Sequence, residues 1–157
     1  MNHDSNFYRK AIQKMFYIVN KDMVSVPFKL NPPQDRLLKE LNGSTRDIVL
    51  KARKEGISSL VGAMFLVDWL TVENVKCVMI SHEDKATQRL FERVRYFLES
   101  MKKTWPGELP YKTKYNSKYE IVNTVKNSTF YVGTAGARAF GRGDDIHNLH
   151  VSELPFW

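Results

Sequence analysis

The stretch that decides the fold is residues 47–70, DIVLKARKEGISSLVGAMFLVDWL. Its hydrophobic pattern predicts a short strand at 47–50, a polar loop, and an apolar helix over 58–70. A second buried strand is predicted at 76–80, and Asp84 is a suitable N-cap for a long helix that continues to Met101. Strands and helices that alternate in this way are typical of an α/β fold with a mainly parallel sheet flanked by helices.

The rest of the chain fits the same class. The pattern predicts helices at 7–19 and 34–41, a hairpin from 119–125 and 129–132, and a last short strand at 148–152. On the long helix the cations are expected to point mainly outward: Lys85, Arg89, Arg93 and Arg95. Ligands of parallel sheets bind at the carboxyl ends of the strands, so the loops after Leu50 and Val151 are where function is expected.

Composition sets the broad class of the protein. The chain has 157 residues, of which 43% are apolar and 26% charged, enough for one domain with a hydrophobic core. Its one cysteine, Cys77, excludes an internal disulfide framework, and its apolar surroundings favour a buried thiol over a nucleophile. The net charge of +7 favours a polyanionic partner such as phosphate or nucleic acid, although a basic surface without a partner has the same composition.

The loop at 51–59 carries three cations, a glycine and two hydroxyls just before an apolar helix. A helix N-terminus offers free N–H groups and a positive dipole end, and Gly56 allows the backbone to approach an anion closely. Ser58 or Ser59 would supply the hydroxyl that nucleotide sites place on Mg²⁺. The usual Gly-Lys before that hydroxyl is missing, because Ile57 occupies the lysine position. A serine-capped turn with its cations in solvent is the alternative interpretation.

The end of the chain, HNLHVSELPFW at 147–157, places a polar pair after a short apolar strand. Phosphoryl hydrolysis needs a carboxylate that orients and deprotonates water, beside a group that holds the shell of the metal ion. Glu153 would be the carboxylate and Ser152 the second group. A simple polar turn is the alternative when this pair is considered alone.

Taken together, the two segments resemble motifs of phage terminase large subunits, the ATPases that pump DNA into viral capsids. The loop at 50–60 is similar to the family pattern Lys-Ala-Arg-Gln-x-Gly-Ile-Ser-Thr, with departures at Lys54 and Ser59. The chain end resembles His-Ile/Leu-Ser-Glu-Val-Ala-Phe-Trp, with matches at His150, Ser152, Glu153, Phe156 and Trp157. The resemblance covers residues 25–157 and implies a P-loop NTPase-type sheet that stops after its Walker B-like strand.

The resemblance also implies a site and its cofactors, ATP and Mg²⁺. Glu153 would be the catalytic carboxylate and Arg53 would stabilise the transferring charge. Mg²⁺ would be held by Ser58 and, through water, by Ser152. The remaining nucleotide-binding residues would be Lys51, Lys54, Gly56, Ser59 and Gln34, where either Lys51 or Lys54 does the work of the phosphate lysine.

Three weaker features accompany these motifs. The segment at 28–34 resembles the adenine motif of the family, in which Gln34 would read the base edge, and the alternative is a helix-start residue in solvent. Arg138 and Arg142 lie in an Arg-Gly segment similar to one in the family and would contact phosphate or DNA, or else solvent. His82 and His147 have no accompanying ligand cluster in the sequence that would indicate a metal site.

The resemblance implies an organisation and a setting. We expect an N-terminal helical segment at 1–25 and the N-terminal part of a terminase ATPase domain at 26–157, without the nuclease domain. Such a fragment or split gene product would be marginally stable and inactive alone. The implied partners are double-stranded viral DNA, a small terminase subunit, a portal protein and further copies in a homo-oligomeric ring, in the host cytoplasm and at the procapsid portal, with no membrane.

Two other classes of function stay open on the sequence. One is a basic nucleic-acid-binding module that hydrolyses nothing, whose DNA affinity would fall with salt and ignore ATP. The other is a helicase-like P-loop protein without a packaging role, which would be expected to carry Asp-Glu where this chain has Ser152 and Glu153.

Overall fold

A computed structural model describes residues 2–41, 43, 45–52, 54–136 and 145–153. Within these residues four helices and seven strands follow one another along the chain. In order they are α1 Ser5–Met15, β1 Tyr17–Val19, β2 Ser25–Pro27, α2 Pro32–Glu40, α3 Ile57–Thr71, β3 Lys76–Ser81, α4 Asp84–Thr104, β4 Thr113–Asn116, β5 Glu120–Asn123, β6 Ser128–Thr134 and β7 Asn148–Val151.

The main sheet has five strands in the order β4-β5-β6-β3-β7. β3 runs parallel to β6 on one side and to β7 on the other, whereas β4, β5 and β6 pair antiparallel. The predicted α/β class is therefore confirmed, and the sheet as a whole is mixed because the hairpin β5–β6 and the strand β4 extend its parallel part. β1 and β2 form a separate antiparallel pair.

Helix α3 lies at the centre of the hydrophobic core. Ten of its fifteen residues are buried, including Leu60, Leu66 and Trp69, so the helix is apolar on nearly every side. Helix α4 is amphipathic and packs its stripe of Leu90, Val94 and Met101 into the same core. α1 contributes to that core as well, through residues such as Tyr8 and Ile12.

The strand predicted at 47–50 is wrong. Residues 46–50 have no regular secondary structure, and the side chains of Ile48 and Leu50 are 95% and 100% exposed. An apolar run becomes a strand only where a neighbour pairs with its backbone groups, and no strand in the described residues pairs with this segment. The polar loop therefore leads into α3 from an irregular, exposed segment rather than from the sheet.

The remaining sequence predictions are largely confirmed. The strand at 76–80, the long helix and the hairpin of β5 and β6 are present, with Asn127 at positive φ in the turn. The N-cap of the long helix is Glu83 and not Asp84, which is its first helical residue, and the helix continues beyond Met101 to Thr104. The first helix ends earlier than predicted, at Met15, because the chain turns there into β1. The short strands β1, β2 and β4 were not predicted.

A buried carboxylate connects distant parts of the fold. Asp68 on α3 is 1% exposed and accepts hydrogen bonds from the Tyr8 hydroxyl at 2.7 Å and from the Asn2 and Asn148 side-chain amides at 2.8 and 2.7 Å. Burial, together with the charge of Asp68, raises the pKa of Tyr8, so the phenol stays protonated and donates. One side chain thus joins the N-terminus, α1, α3 and β7.

We expect Asp68→Ala to lower the free energy of unfolding by about 2–4 kcal/mol, because three donors, the buried Tyr8, the half-buried Asn148 and the exposed Asn2, lose their acceptor together. Urea unfolding followed by circular dichroism measures the change. Asp22→Ala removes a carboxylate from an exposed turn and is the matched control. Equal stability of the two variants would contradict the role assigned to Asp68.

Candidate functional site

A cavity of about 410 Å³ opens at the carboxyl ends of β3 and β7. Three structural units surround it: the loop that leads into α3, the first half of α4, and the residues that follow the two strands. The residues that line it are Lys51, Lys54, Gly56, Ile57, Ser58, Ser59, Ser81, Ala86, Arg89, Leu90, Arg93, Ser152 and Glu153. The two loops that the sequence indicated as functional therefore meet at one cavity, although the first of them does not follow a strand.

The loop before α3 turns through two left-handed residues, Lys54 at φ 66° and Gly56 at φ 74°. Gly56 is the N-cap of α3, and it has no side chain to cap the helix. Its carbonyl accepts from the N–H groups of Ser59 and Leu60, both at 3.1 Å. The first residues of α3 line the cavity, so the positive end of the helix dipole lies there. This end of the helix favours the binding of an anion.

Gln34 holds this loop in place. It is 4% exposed at the third position of α2, where it forms a reciprocal capping box with Asn31. Its amide nitrogen donates to the Gly56 carbonyl at 2.8 Å, and its amide oxygen accepts from the Asn31 N–H at 3.0 Å. Gln34 thus lies at the start of a helix, as one sequence interpretation expected, but in the protein interior rather than in solvent.

His150 on β7 faces the first turn of α3, a contact that the sequence pattern did not indicate. Its Nε2 lies 3.4 Å from the Ser58 hydroxyl. Burial, reinforced by the positive charge of Lys51, lowers the pKa of His150 to about 4. The imidazole is therefore neutral at physiological pH, and it adds no positive charge to the cavity.

Glu153 lines the same cavity as the loop. Its backbone is left-handed, with φ 60°, and its side chain is 51% exposed. The carboxylate Oε2 is 2.8 Å from Nδ1 of His82, which directly follows β3. The parallel pairing of β3 with β7 brings these two residues together, and it identifies His82 as a neighbour of the predicted catalytic carboxylate.

The charges around the cavity are unevenly distributed. Among the described residues, four cationic side chains line it, Lys51, Lys54, Arg89 and Arg93, together with one carboxylate, that of Glu153. The sequence pattern had these two arginines pointing mainly outward; they are exposed, but they face this cavity. Their spacing of four residues on one helix was the available indication that they share a face.

A second cavity of about 560 Å³ adjoins the first and shares Lys51 and Ile57 with it. It lies between α2 and the segment at 49–52. Its other walls are mostly apolar, with one arginine and two carboxylates: Pro32, Pro33, Arg36, Leu37, Glu40, Val49, Leu50, Ala52 and Glu55.

Some predicted site residues lie outside the described part of the chain, namely Arg53, Arg138 and Arg142. His147 uses Nδ1 to accept from the Lys76 N–H at 3.2 Å, at the opposite end of β7 from Glu153. Within the residues that the structure describes, no group of three or more His, Cys, Asp or Glu side chains is arranged to hold a metal ion. The helices in the same residues include none with the length and apolar character required to span a membrane.

The fold is similar to that of a known protein. The large terminase of bacteriophage HK97 superimposes with a TM-score of 0.67 over 86% of this chain and 28% of its own, at 14% sequence identity. The chain therefore shares its fold with about a quarter of that terminase. Comparison of the sequence with protein-family models and with curated proteins finds no match.

We expect Gly56→Ala to destabilise the protein more than an ordinary glycine substitution does. A Cβ at Gly56 would lie 2.7 Å from Nε2 of Gln34 in addition to the strain of its positive φ, at a total cost of about 1–3 kcal/mol. Gly107→Ala is the matched control, because its φ is +85° and nothing lies within 4 Å of the added Cβ. Urea unfolding compares the two, and equal losses would contradict the close packing of Gln34 on this loop.

Proposed function

We propose that this chain binds ATP with Mg²⁺ at the cavity between α3, α4 and the end of β7, and hydrolyses it as the ATPase portion of a phage DNA-packaging motor. The observation that carries the proposal is the convergence of two predicted motifs on one cavity. The cationic loop with its open helix N-terminus forms one wall, and the carboxylate of Glu153 stands on another.

The phosphates are proposed to bind at the loop. Lys51 and Lys54 supply positive charge, and the N-terminus of α3 supplies backbone N–H groups and the helix dipole. Gly56 has no side chain that would obstruct the approach of the phosphates. Gln34 holds the loop in position through its hydrogen bond to the Gly56 carbonyl. Both lysines line the cavity, so the proposal assigns the role of the phosphate lysine to one or the other, and Arg53 is proposed to add charge at the same loop.

The hydroxyl groups near the loop fit a magnesium ion. Mg²⁺ prefers oxygen ligands and keeps several waters, so it needs few protein ligands. Ser58 and Ser152 line the cavity with such oxygens, and the neutral His150 beside Ser58 does not repel a cation. Ser58 would hold the ion directly and Ser152 through water, with Ser59 nearby. When bound, the ion would neutralise charge that develops on the phosphates.

Glu153 is proposed to orient the attacking water and accept its proton. Its side chain is partly exposed to the cavity, and His82 contacts it on the side of β3. That contact restricts the rotamers of a side chain whose backbone is already in the left-handed region. This contact supports the proposal that Glu153 acts as the general base without an acidic residue before it in the chain, since the preceding residue is Ser152.

The nucleoside is proposed to occupy the adjoining cavity. Pro32, Pro33 and Leu37 offer apolar surface for a base, and Lys51 lies on the border between the two cavities. Gln34 is 4% exposed, is not among the residues that line either cavity, and already uses one amide hydrogen and its oxygen within the protein. Its proposed contact with an adenine edge would therefore require its second hydrogen and second lone pair to become accessible. The fold supports a packaging role, because it resembles part of a phage large terminase.

The packaging role carries further proposals for the whole protein. Its partners would be double-stranded viral DNA, a small terminase subunit, a portal protein and further copies of the chain in a ring. Arg138 and Arg142 would contact phosphate or DNA. The protein would act in the host cytoplasm and at the procapsid portal. The net charge of +7 is compatible with a DNA substrate.

We expect Lys51→Ala and Ser58→Ala each to weaken Mg²⁺-ATP binding by about tenfold or more, because each removes a charge-assisted contact or an oxygen ligand. Isothermal titration calorimetry measures the dissociation constants. Lys29→Ala removes an exposed lysine away from the cavity and is the charge-matched control. DNA binding that falls with salt while no nucleotide binds would favour a nucleic-acid-binding module instead.

We expect Glu153→Gln to keep Mg²⁺-ATP affinity within about threefold and to lower the hydrolysis rate by about a hundredfold or more, because the amide cannot accept the proton of water. Phosphate release under saturating ATP measures the rate. Glu108→Gln changes an exposed carboxylate outside the cavity and should leave the rate unchanged. A hydrolysis rate that Glu153→Gln leaves intact would remove Glu153 from the mechanism.

A further inference from the structure

Two arginines of α4 face the cavity without an acidic partner among the described residues. Arg89 and Arg93 are four residues apart, and both line the cavity together with Ala86 and Leu90 of the same helix face. Arg93 reaches across to the first turn of α3, where Nη1 lies 3.4 Å from the Ser59 hydroxyl. The arginine thus meets the same helix end that carries the phosphate loop.

The position of this helix face is fixed by buried contacts. Thr87, in the first turns of α4, is fully buried and its hydroxyl lies 3.0 Å from the Gly133 carbonyl and 3.0 Å from the Thr134 hydroxyl, at the end of β6. Leu90, between the two arginines, is buried in the core. Arg89 and Arg93 therefore lie on a helix whose position is fixed by its contacts with the sheet and the core, and not on a loop.

A nearby arginine of α4, Arg95, makes contacts that are typical of a structural role. Arg95 donates to the Ser117 carbonyl, and its guanidinium lies 4.7 Å from the centre of the Phe91 ring. Arg93, by contrast, has the weak contact with Ser59, and the described residues that line the cavity include one carboxylate, Glu153, which contacts His82. The charges of Arg89 and Arg93 are thus left for a ligand.

We infer that Arg89 and Arg93 bind the terminal phosphate of the nucleotide held at the loop at 51–59, and so make the site prefer a triphosphate over a diphosphate. The inference rests on the proposed function and adds to it a specificity for the length of the phosphate chain. The loop lysines and the N-terminus of α3 approach the phosphates from one wall, and the two guanidinium groups approach from the wall formed by α4. A guanidinium binds two phosphate oxygens at once, which gives it geometric as well as electrostatic selectivity.

Charge supports the same assignment. Four cationic groups and one carboxylate line the cavity, a surplus of positive charge that the described residues do not neutralise. Mg²⁺-bound ATP carries one more negative charge than Mg²⁺-bound ADP, and that charge lies at the end of the phosphate chain. Arg89 and Arg93 therefore supply positive charge, in addition to that of the loop lysines, for the terminal phosphate that distinguishes ATP from ADP.

The test compares the dissociation constants of Mg²⁺-ATP and Mg²⁺-ADP for the wild-type chain, Arg89→Ala, Arg93→Ala and Arg93→Lys, by calorimetry. We expect each alanine variant to weaken ATP binding by about tenfold or more while ADP binding changes by less than about threefold. Arg93→Lys keeps the charge but loses the bidentate contact, so its ATP affinity should fall between wild type and Arg93→Ala. Lys103→Ala, at the far end of α4 and outside the cavity, is the control for lost charge.

Each outcome decides the inference. A selective loss of ATP affinity in the arginine variants, with folding unchanged by circular dichroism, supports it. Equal weakening of ATP and ADP, or affinities that match those of Lys103→Ala, would overturn it while leaving the proposed nucleotide site intact. A folded wild-type chain that binds neither nucleotide would overturn both the inference and the proposed function.

Discussion

The hydrogen bonds of the buried Asp68 carboxylate are the interaction on which the arrangement of the fold depends. A charged group inside an apolar helix is costly unless several donors surround it, and here the donors come from the N-terminus, α1 and β7. Asn148, the donor on β7, lies at the start of the strand whose far end leads to Ser152 and Glu153. The hydrogen bonds that this one carboxylate requires therefore fix α3 and β7 relative to each other. They also fix the two parts of the site that these elements carry, the start of α3 and the Ser152–Glu153 pair.

The position of the loop that precedes α3 depends on a single side-chain contact. The loop at 51–56 is not continued from a strand of the sheet, so its backbone position is set from outside by Gln34, whose amide donates to the Gly56 carbonyl. A side chain at position 56 would displace that amide, which explains why a glycine at positive φ suits this position. The residue that resembled an adenine reader in sequence thus has a structural role at the loop that precedes α3.

Much of this could be predicted from the sequence, because the periodicity of α3, α4, β3 and the hairpin reflects burial directly. The strand at 47–50 could not be predicted correctly, since strand formation depends on a pairing partner that an apolar run does not specify. The sequence indicated the loop and the Ser152–Glu153 pair, because their residue types are unusual at strand and helix ends. It did not indicate the contact of His150 with Ser58, the place of Arg89 and Arg93 at the cavity, or the contact of His82 with Glu153. Only the register of β3 against β7 and the packing of α4 bring these side chains to their positions.

The electrostatics of the cavity connect the fold to its proposed ligand. In the part of the chain that the structure describes, four cations and one carboxylate line the cavity, and the mutual repulsion of the cations opposes the close approach of α4 to the start of α3. The buried contacts of Thr87 and Leu90 hold α4 in place against that repulsion. An anion bound between the loop lysines and the arginines of α4 would attract both groups of cations and offset their mutual repulsion. Ligand binding and the stability of the folded state are therefore linked. The loop, α3 and α4 would then act as one unit whose cohesion depends on the charge of the phosphate chain between them.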